Sequence, residues 1–220
     1  MVRLPRCVLF DLDGTILDSL PGIESSVRAA FAGCDLPVPQ GSLREIVGPP
    51  IRTILARVGS VQDESILDAI ELAFRRDYDS EGWQQTACFP GAVRVLREMR
   101  ERGFRLFVIS NKPSQISVRI LEREEILDIF EAIVTRDSRL PAYSGKEEMI
   151  RDVLTGRGMG PEDCAMVGDT IDDAEAAAAV GIPFIHMAHG YGTVDVASVP
   201  VSCRLEDFLQ FMPLAAEELV

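Results

Sequence analysis

The chain has 220 residues, 47% of them hydrophobic, enough to bury a full core in one domain with an insertion. A net charge of −13 argues against the basic surface that binding to a nucleic-acid backbone requires. Five cysteines without paired spacing or a CxxC argue against a disulfide framework or a thiolate zinc site, and the apolar run after Arg6 stops at Asp11, far short of an export or membrane-spanning segment. The expected setting is a reducing cytoplasm, with neither nucleic acid nor membrane as partner.

In chain order, the first expected element is a buried parallel strand over Cys7–Phe10, with Asp11 at its carboxyl end and a turn at Gly14. From Leu17 to about Gln85 the pattern becomes helix after helix, over Leu20–Phe31, Pro50–Val58 and Gln62–Tyr78. Such an all-helical insertion, directly behind the first strand, would sit over the carboxyl edge of a sheet, where open α/β folds bind ligands. The rest alternates. Strands are expected at Leu106–Ile109, Ala132–Val134, Ala165–Val167 and Ile182–Ile185. Helices are expected at Ala92–Arg102, Pro113 to about Glu124, Lys146 to about Thr155 and Asp172–Val180, with Gly103 and Gly181 as stops. This predicts an α/β fold: a doubly wound, Rossmann-like parallel sheet of residues 1–16 and 86–220 with a helical cap of residues 17–85.

The sharpest motif is Asp11-Leu12-Asp13-Gly14-Thr15. On an extended chain, period two sends Asp11 and Asp13 to one side, and Thr15 adds a hydroxyl near the same spot. Two close acids repel unless a cation offsets them, and Mg²⁺ is suited, being a hard ion that takes carboxylate oxygens and bridges to phosphate. Later, Asp169 ends a strand and Asp173 follows by four residues, so one helical turn brings both acids to one face. Asp172, between them, reads as a helix-start acid. Only two of the 22 basic residues are lysine, Lys112 and Lys146, and a compact ammonium does work a planar guanidinium does poorly.

Phe10-Asp11-Leu12-Asp13-Gly14-Thr15, Ser110-Asn111-Lys112-Pro113, Lys146 before a helix, and Gly168-Asp169-Thr170-Ile171-Asp172-Asp173 together resemble the haloacid dehalogenase superfamily. The resemblance is to its phosphoglycolate phosphatase-like branch and spans nearly the whole chain. It implies that Asp11 is a nucleophile forming an aspartyl-phosphate and that Asp13 is the acid and base, with only its carbonyl on the metal. It implies that Ser110 and Asn111, with Thr15, meet the phosphoryl oxygens and that Lys146 offsets the developing charge. Asp169 would ligate Mg²⁺ directly, and Asp173 would hold a water of the metal's shell or Lys146. By the same resemblance, Gly48-Pro49-Pro50 falls where related phosphatases place a substrate-facing cap loop, with Arg52 as a candidate contact for the distal part of the substrate. Gly190-Tyr191-Gly192 resembles a family loop without being a dinucleotide fingerprint, and His186 and His189 read as structural.

The expected substrate is a small phosphorylated metabolite, a phosphoglycolate-like phosphomonoester, acted on by a monomer or homodimer. One rival is a β-phosphoglucomutase-like isomerase, against which stands the absence of histidine from Asp18 to Phe31. Another is a non-enzymatic receiver-type signalling domain, against which stands the helical insertion.

Overall fold

The computed structural model describes residues 4–192, 194 and 199–212. Its strands are β1 (Cys7–Phe10), β2 (Leu17–Asp18), β3 (Ala87–Cys88), β4 (Arg105–Ser110), β5 (Ala132–Thr135), β6 (Cys164–Gly168), β7 (Phe184–Met187) and β8 (Cys203–Leu205). Its helices are α1 (Leu20–Gly33), α2 (Ile51–Gly59), α3 (Glu64–Ser80), α4 (Ala92–Glu101), α5 (Ser114–Arg123), α6 (Lys146–Arg157) and α7 (Ile171–Val180). Six strands form one parallel sheet in the order β5-β4-β1-β6-β7-β8. The chain leaves β1 for β4 and β5 on one side, then returns to β6 on the other. Such a reversal opens a crevice at the carboxyl ends of the central strands.

Period two along the strands builds two cores. Val8 and Phe10 of β1, Leu106 and Val108 of β4, and Ala165 and Val167 of β6 face α4 and α5. Cys7 and Leu9, Phe107 and Ile109, and Cys164 and Met166 face α6 and α7 instead. Helix α4 contributes Ala92, Val95, Leu96 and Met99, all fully buried, and each of the larger three stabilises the fold by about 1.5–3 kcal/mol. Helices on both faces make the sheet doubly wound, as the strand and helix alternation predicts.

The helical insertion is also present, with a refinement. Leu17 and Asp18 are not helical lead-in but pair antiparallel with Cys88 and Ala87, so β2 and β3 tie the segment's entry to its exit. Between them α1 packs on α3, with Ile23, Val27 and Phe31 in one cluster with Leu67, Ile70 and Phe74. The strand β8 was not expected. Its three residues, Cys-Arg-Leu, extend the sheet edge beside β7. Among the described residues no helix is long and apolar enough to cross a membrane.

Candidate active site

Asp11 leaves the end of β1, its amide donating to the Val167 carbonyl of β6 at 2.9 Å. Asp169 follows β6, and Asp173 lies in the first turn of α7. Carboxylate oxygens of Asp11, Asp169 and Asp173 lie within 4.8 Å of one another, and all three residues are buried. Lys146, at the start of α6 and 2% exposed, sets its ammonium 3.1 Å from Asp11 Oδ2 and 2.6 Å from Asp173 Oδ1. Burial pushes the Asp11 carboxyl up to about 8; Lys146 opposes this, while Asp173, Asp169 and Asp13 add to it. Burial likewise raises Asp169 to about 6, with Asp173 adding to the rise. For Lys146 burial favours the neutral amine, yet Asp11 and Asp173 outweigh it and hold the charge.

One cation against three buried carboxylates leaves the cluster short of positive charge. The Asp11 Oδ1 atom is buried with no hydrogen-bond partner. An orphaned carboxylate oxygen beside two other acids, all hard oxygen donors, fits a divalent ion such as Mg²⁺. Asp173 also closes a capping box: Thr170 Oγ and its amide donate to Asp173 Oδ2 at 2.6 and 3.1 Å. Its other oxygen holds Lys146.

Asp169 is fixed from several sides. The Thr15 hydroxyl donates to its Oδ1 at 3.1 Å, and the amides of Tyr191 and Gly192 donate to its Oδ2 at 2.7 and 3.2 Å. Gly14, at φ +82°, presses so close that a Cβ there would meet Asp169 Oδ2 at 2.3 Å. The expectation for Thr15 gains a second partner: its fully buried hydroxyl donates to Asp169 and is not among the groups that line the cavity. The Gly190-Tyr191-Gly192 loop gains a role the sequence left open. Its amides hold Asp169, and the Tyr191 hydroxyl donates to Asp18 Oδ1 at 2.8 Å and accepts from the Ser19 and Leu20 amides, binding the insertion's entry to the sheet edge.

Asp13 stands apart from the three-acid cluster. Its carboxylate accepts from Lys112 Nζ at 2.9 Å, and the same ammonium donates to the Tyr78 hydroxyl at 2.7 Å. Lys112 is 6% exposed and Tyr78 belongs to α3, so a buried cation joins the sheet's Asp13 to the helical insertion. Ser110 ends β4, and its Oγ accepts from the Lys112 amide at 3.3 Å. Asn111 Nδ2 donates to Asp172 Oδ2 at 3.1 Å, so Asp172 is more than a helix-start acid: it holds the Asn111 side chain.

Asp11, Asp13, Ser110, Asn111 and Lys112 line one side of a cavity of about 580 Å³, and the helical insertion lines the other. Gly48 to Pro50 and Arg52 line it too, as the sequence suggests. Arg52 is nevertheless no free anchor. Its guanidinium pairs with Glu64, with Asp68 at 2.8 Å and with Glu71 at 3.1 Å, three carboxylates presented by α3. His189 Nε2 lies 3.0 Å from the Thr15 carbonyl, and His186 is buried in β7.

The profile of the haloacid dehalogenase-like hydrolase family matches residues 8–187. The chain is 38% identical over 192 residues to the tyrosine-protein kinase PtkA of Mycobacterium tuberculosis, covering 87% of this chain but only 65% of that protein, so it spans just under two thirds of that relative. It is 30% identical over 227 residues to phosphoglycolate phosphatase 1 of Pseudomonas aeruginosa, covering 98% of this chain and 82% of that one. The solved PtkA structure superposes with a TM-score of 0.82 at 34% identity, covering 98% of this chain and all of that one. A haloacid dehalogenase-like family protein from Streptococcus pneumoniae shares the fold, with a TM-score of 0.86 at 23% identity over 97% of this chain and 99% of that one. With acids ending β1 and β6 gathered beside a buried lysine, and with the family profile running from β1 through β7, the chain belongs to the haloacid dehalogenase-like hydrolase family.

Proposed function

We propose that the protein is a magnesium-dependent phosphatase that hydrolyses a phosphomonoester through an aspartyl-phosphate on Asp11. The observation that carries this reading is the convergence of Asp169, Asp173 and Lys146 on Asp11, which with Asp13 and Ser110 lines the cavity. Asp11, Asp169 and the Asp13 carbonyl would hold the ion, with Asp173 keeping Lys146 in place. Mg²⁺, when bound, supplies positive charge that lets an anionic nucleophile approach an anionic phosphate.

The chain's own residues then divide the work. Asp11 forms a bond to phosphorus as the bond from phosphorus to the leaving oxygen breaks, and Asp13 gives that oxygen a proton. Asp13 next takes a proton from water, whose oxygen bonds to phosphorus and releases inorganic phosphate with Asp11 restored. Ser110 and Lys146 bind the transferring oxygens, which keeps them oriented and stabilises their charge. The cap, residues 17–85, is held over the cavity by the hydrogen bond that the Lys112 ammonium donates to the Tyr78 hydroxyl, and its closure would exclude bulk water.

The relatives' names make phosphoglycolate the first substrate to test. A second reading has one observation in its favour, the 38% identity to PtkA: the phosphoryl group would then come from a nucleotide and pass to a tyrosine. Phosphate release from a panel of phosphomonoesters, with and without Mg²⁺, separates the two when run beside label transfer from ATP to protein tyrosine. Hydrolysis that needs Mg²⁺ and drops at least a thousandfold in Asp11→Asn is the expected result. Parent-level hydrolysis by that variant, or tyrosine labelling without hydrolysis, would overturn the proposal.

A further inference from the structure

Most of the cations around the cavity are paired, and the space is large. Above Asp11, Asp13 and Ser110 the walls carry Ile23, Val47, Ile54, Phe74 and Ile116, each no more than 6% exposed. Phe74 and Tyr78 lie side by side with ring centroids 5.3 Å apart, adding a flat aromatic surface on α3. Of the cations lining the cavity, Lys112 is held by Asp13 and Tyr78, Arg52 by three carboxylates, and Arg75 by Glu71 at 3.2 Å. Among the described residues Arg136 is the lining cation without a carboxylate partner, and Glu71, Asp79 and Asp137 line the same space.

A short, anionic leaving group suits such a chamber poorly. The two carbons of a glycolate would leave most of about 580 Å³ unfilled, and its carboxylate would find Arg136 as the one described lining cation without a carboxylate partner, in a space that Glu71, Asp79 and Asp137 also line. A buried anion without a dedicated partner is costly, whereas an apolar body gains by covering apolar walls. Cavities of this size take ligands much larger than a two-carbon acid.

Resting on the phosphatase reading above, we infer that the substrate is a phosphomonoester whose leaving alcohol carries a bulky, uncharged, mainly apolar body of at least one aromatic ring. The phosphoryl group sits on Asp11, the alcohol oxygen faces Asp13, and the ring lies against Phe74 and Ile54. On release, the alcohol departs with the Asp13 proton.

The test compares kcat/KM for ethyl phosphate, 2-phenylethyl phosphate and phosphoglycolate in saturating Mg²⁺. The first two alcohols are closely similar in basicity, so their ratio reads binding of the ring instead of leaving-group chemistry. At least a tenfold preference for 2-phenylethyl phosphate over each of the others is expected. Phe74→Ala should cut that substrate's kcat/KM at least tenfold more than that of ethyl phosphate, and Phe74→Leu, which keeps an apolar body, should move the ratio the same way if the alanine variant does not fold. Phosphate release in which phosphoglycolate leads, or in which ethyl and 2-phenylethyl phosphates agree within threefold, overturns this inference and leaves the phosphatase reading standing. Release from none of the three overturns both.

Discussion

The affinity for Mg²⁺ should climb steeply between pH 6 and pH 8, because the ion must displace protons from the acids it binds. With burial raising Asp11 to about 8 and Asp169 to about 6, Asp11 in the ion-free protein is almost wholly protonated at pH 6 and about half ionised at pH 8. Removing the Asp11 proton therefore costs about 2 kcal/mol more at pH 6 than at pH 8, roughly a 50-fold difference in affinity. Asp169 contributes about another factor of two over the same interval. Titration calorimetry with Mg²⁺ at pH 6, 7 and 8, in buffers of different protonation enthalpy, measures both quantities. The expected result is a rise of about 100-fold in affinity, with about one proton released per ion at pH 7. Equal affinities at pH 6 and 8, with no proton release, would refute the electrostatic reasoning. The same acids set the stability of the ion-free protein. Folded pKa values above the unfolded value of 3.8 mean that the stability they contribute is present below about pH 4 and is lost as pH rises through about 6 and then about 8.

Three further outcomes follow from the packing. Lys146→Met removes the cation that both Asp11 and Asp173 face, so at pH 8 the variant should lose about 3–5 kcal/mol in urea denaturation; a loss under about 1 kcal/mol would contradict the buried-pair account. Gly190→Ala would put a Cβ 2.1 Å from Asp169 Cβ and should cost about 1–3 kcal/mol while weakening Mg²⁺ binding. The reverse holds for Gly156→Ala in α6, where no atom lies within 4 Å and about 0.5–1 kcal/mol of added stability is expected. Similar thermal shifts for these two glycine variants would contradict the assignment of Gly190 to close packing against Asp169.

The sheet was legible because its central strands are short, apolar runs ending in chemistry. Cys7–Phe10 runs into Asp11, and Cys164–Gly168 runs into Asp169. Four apolar residues in a row cannot alternate with polar ones when helices cover both faces, and that continuity is what marks a buried parallel strand. Lys146 stood out through the scarcity of lysine, and the structure brings it to Asp11 across 135 residues of chain.

What escaped the sequence were contacts that no local period encodes. Tyr78 meets Lys112 across 34 residues, and Thr15 meets Asp169 across 154. Arg52 looked available because its three acids, Glu64, Asp68 and Glu71, belong to a different helix; their spacing of four and three residues places them on one face of α3, a signal that could have been read. The Thr170 and Asp173 capping box was likewise legible as a threonine three residues before an acid. Strand β8 offered only Cys-Arg-Leu at an edge, too short for any periodicity to appear.

The central claim is that Asp11 carries the phosphoryl group during turnover. Rapid acid quenching of the protein with Mg²⁺ and a turned-over phosphomonoester, followed by borohydride reduction and peptide mass spectrometry, reads that claim directly. The account predicts conversion of Asp11 to homoserine in the peptide that carries it, dependent on substrate and on Mg²⁺. Modification at another residue, or hydrolysis with Asp11 left unmodified at every quench time, would contradict it.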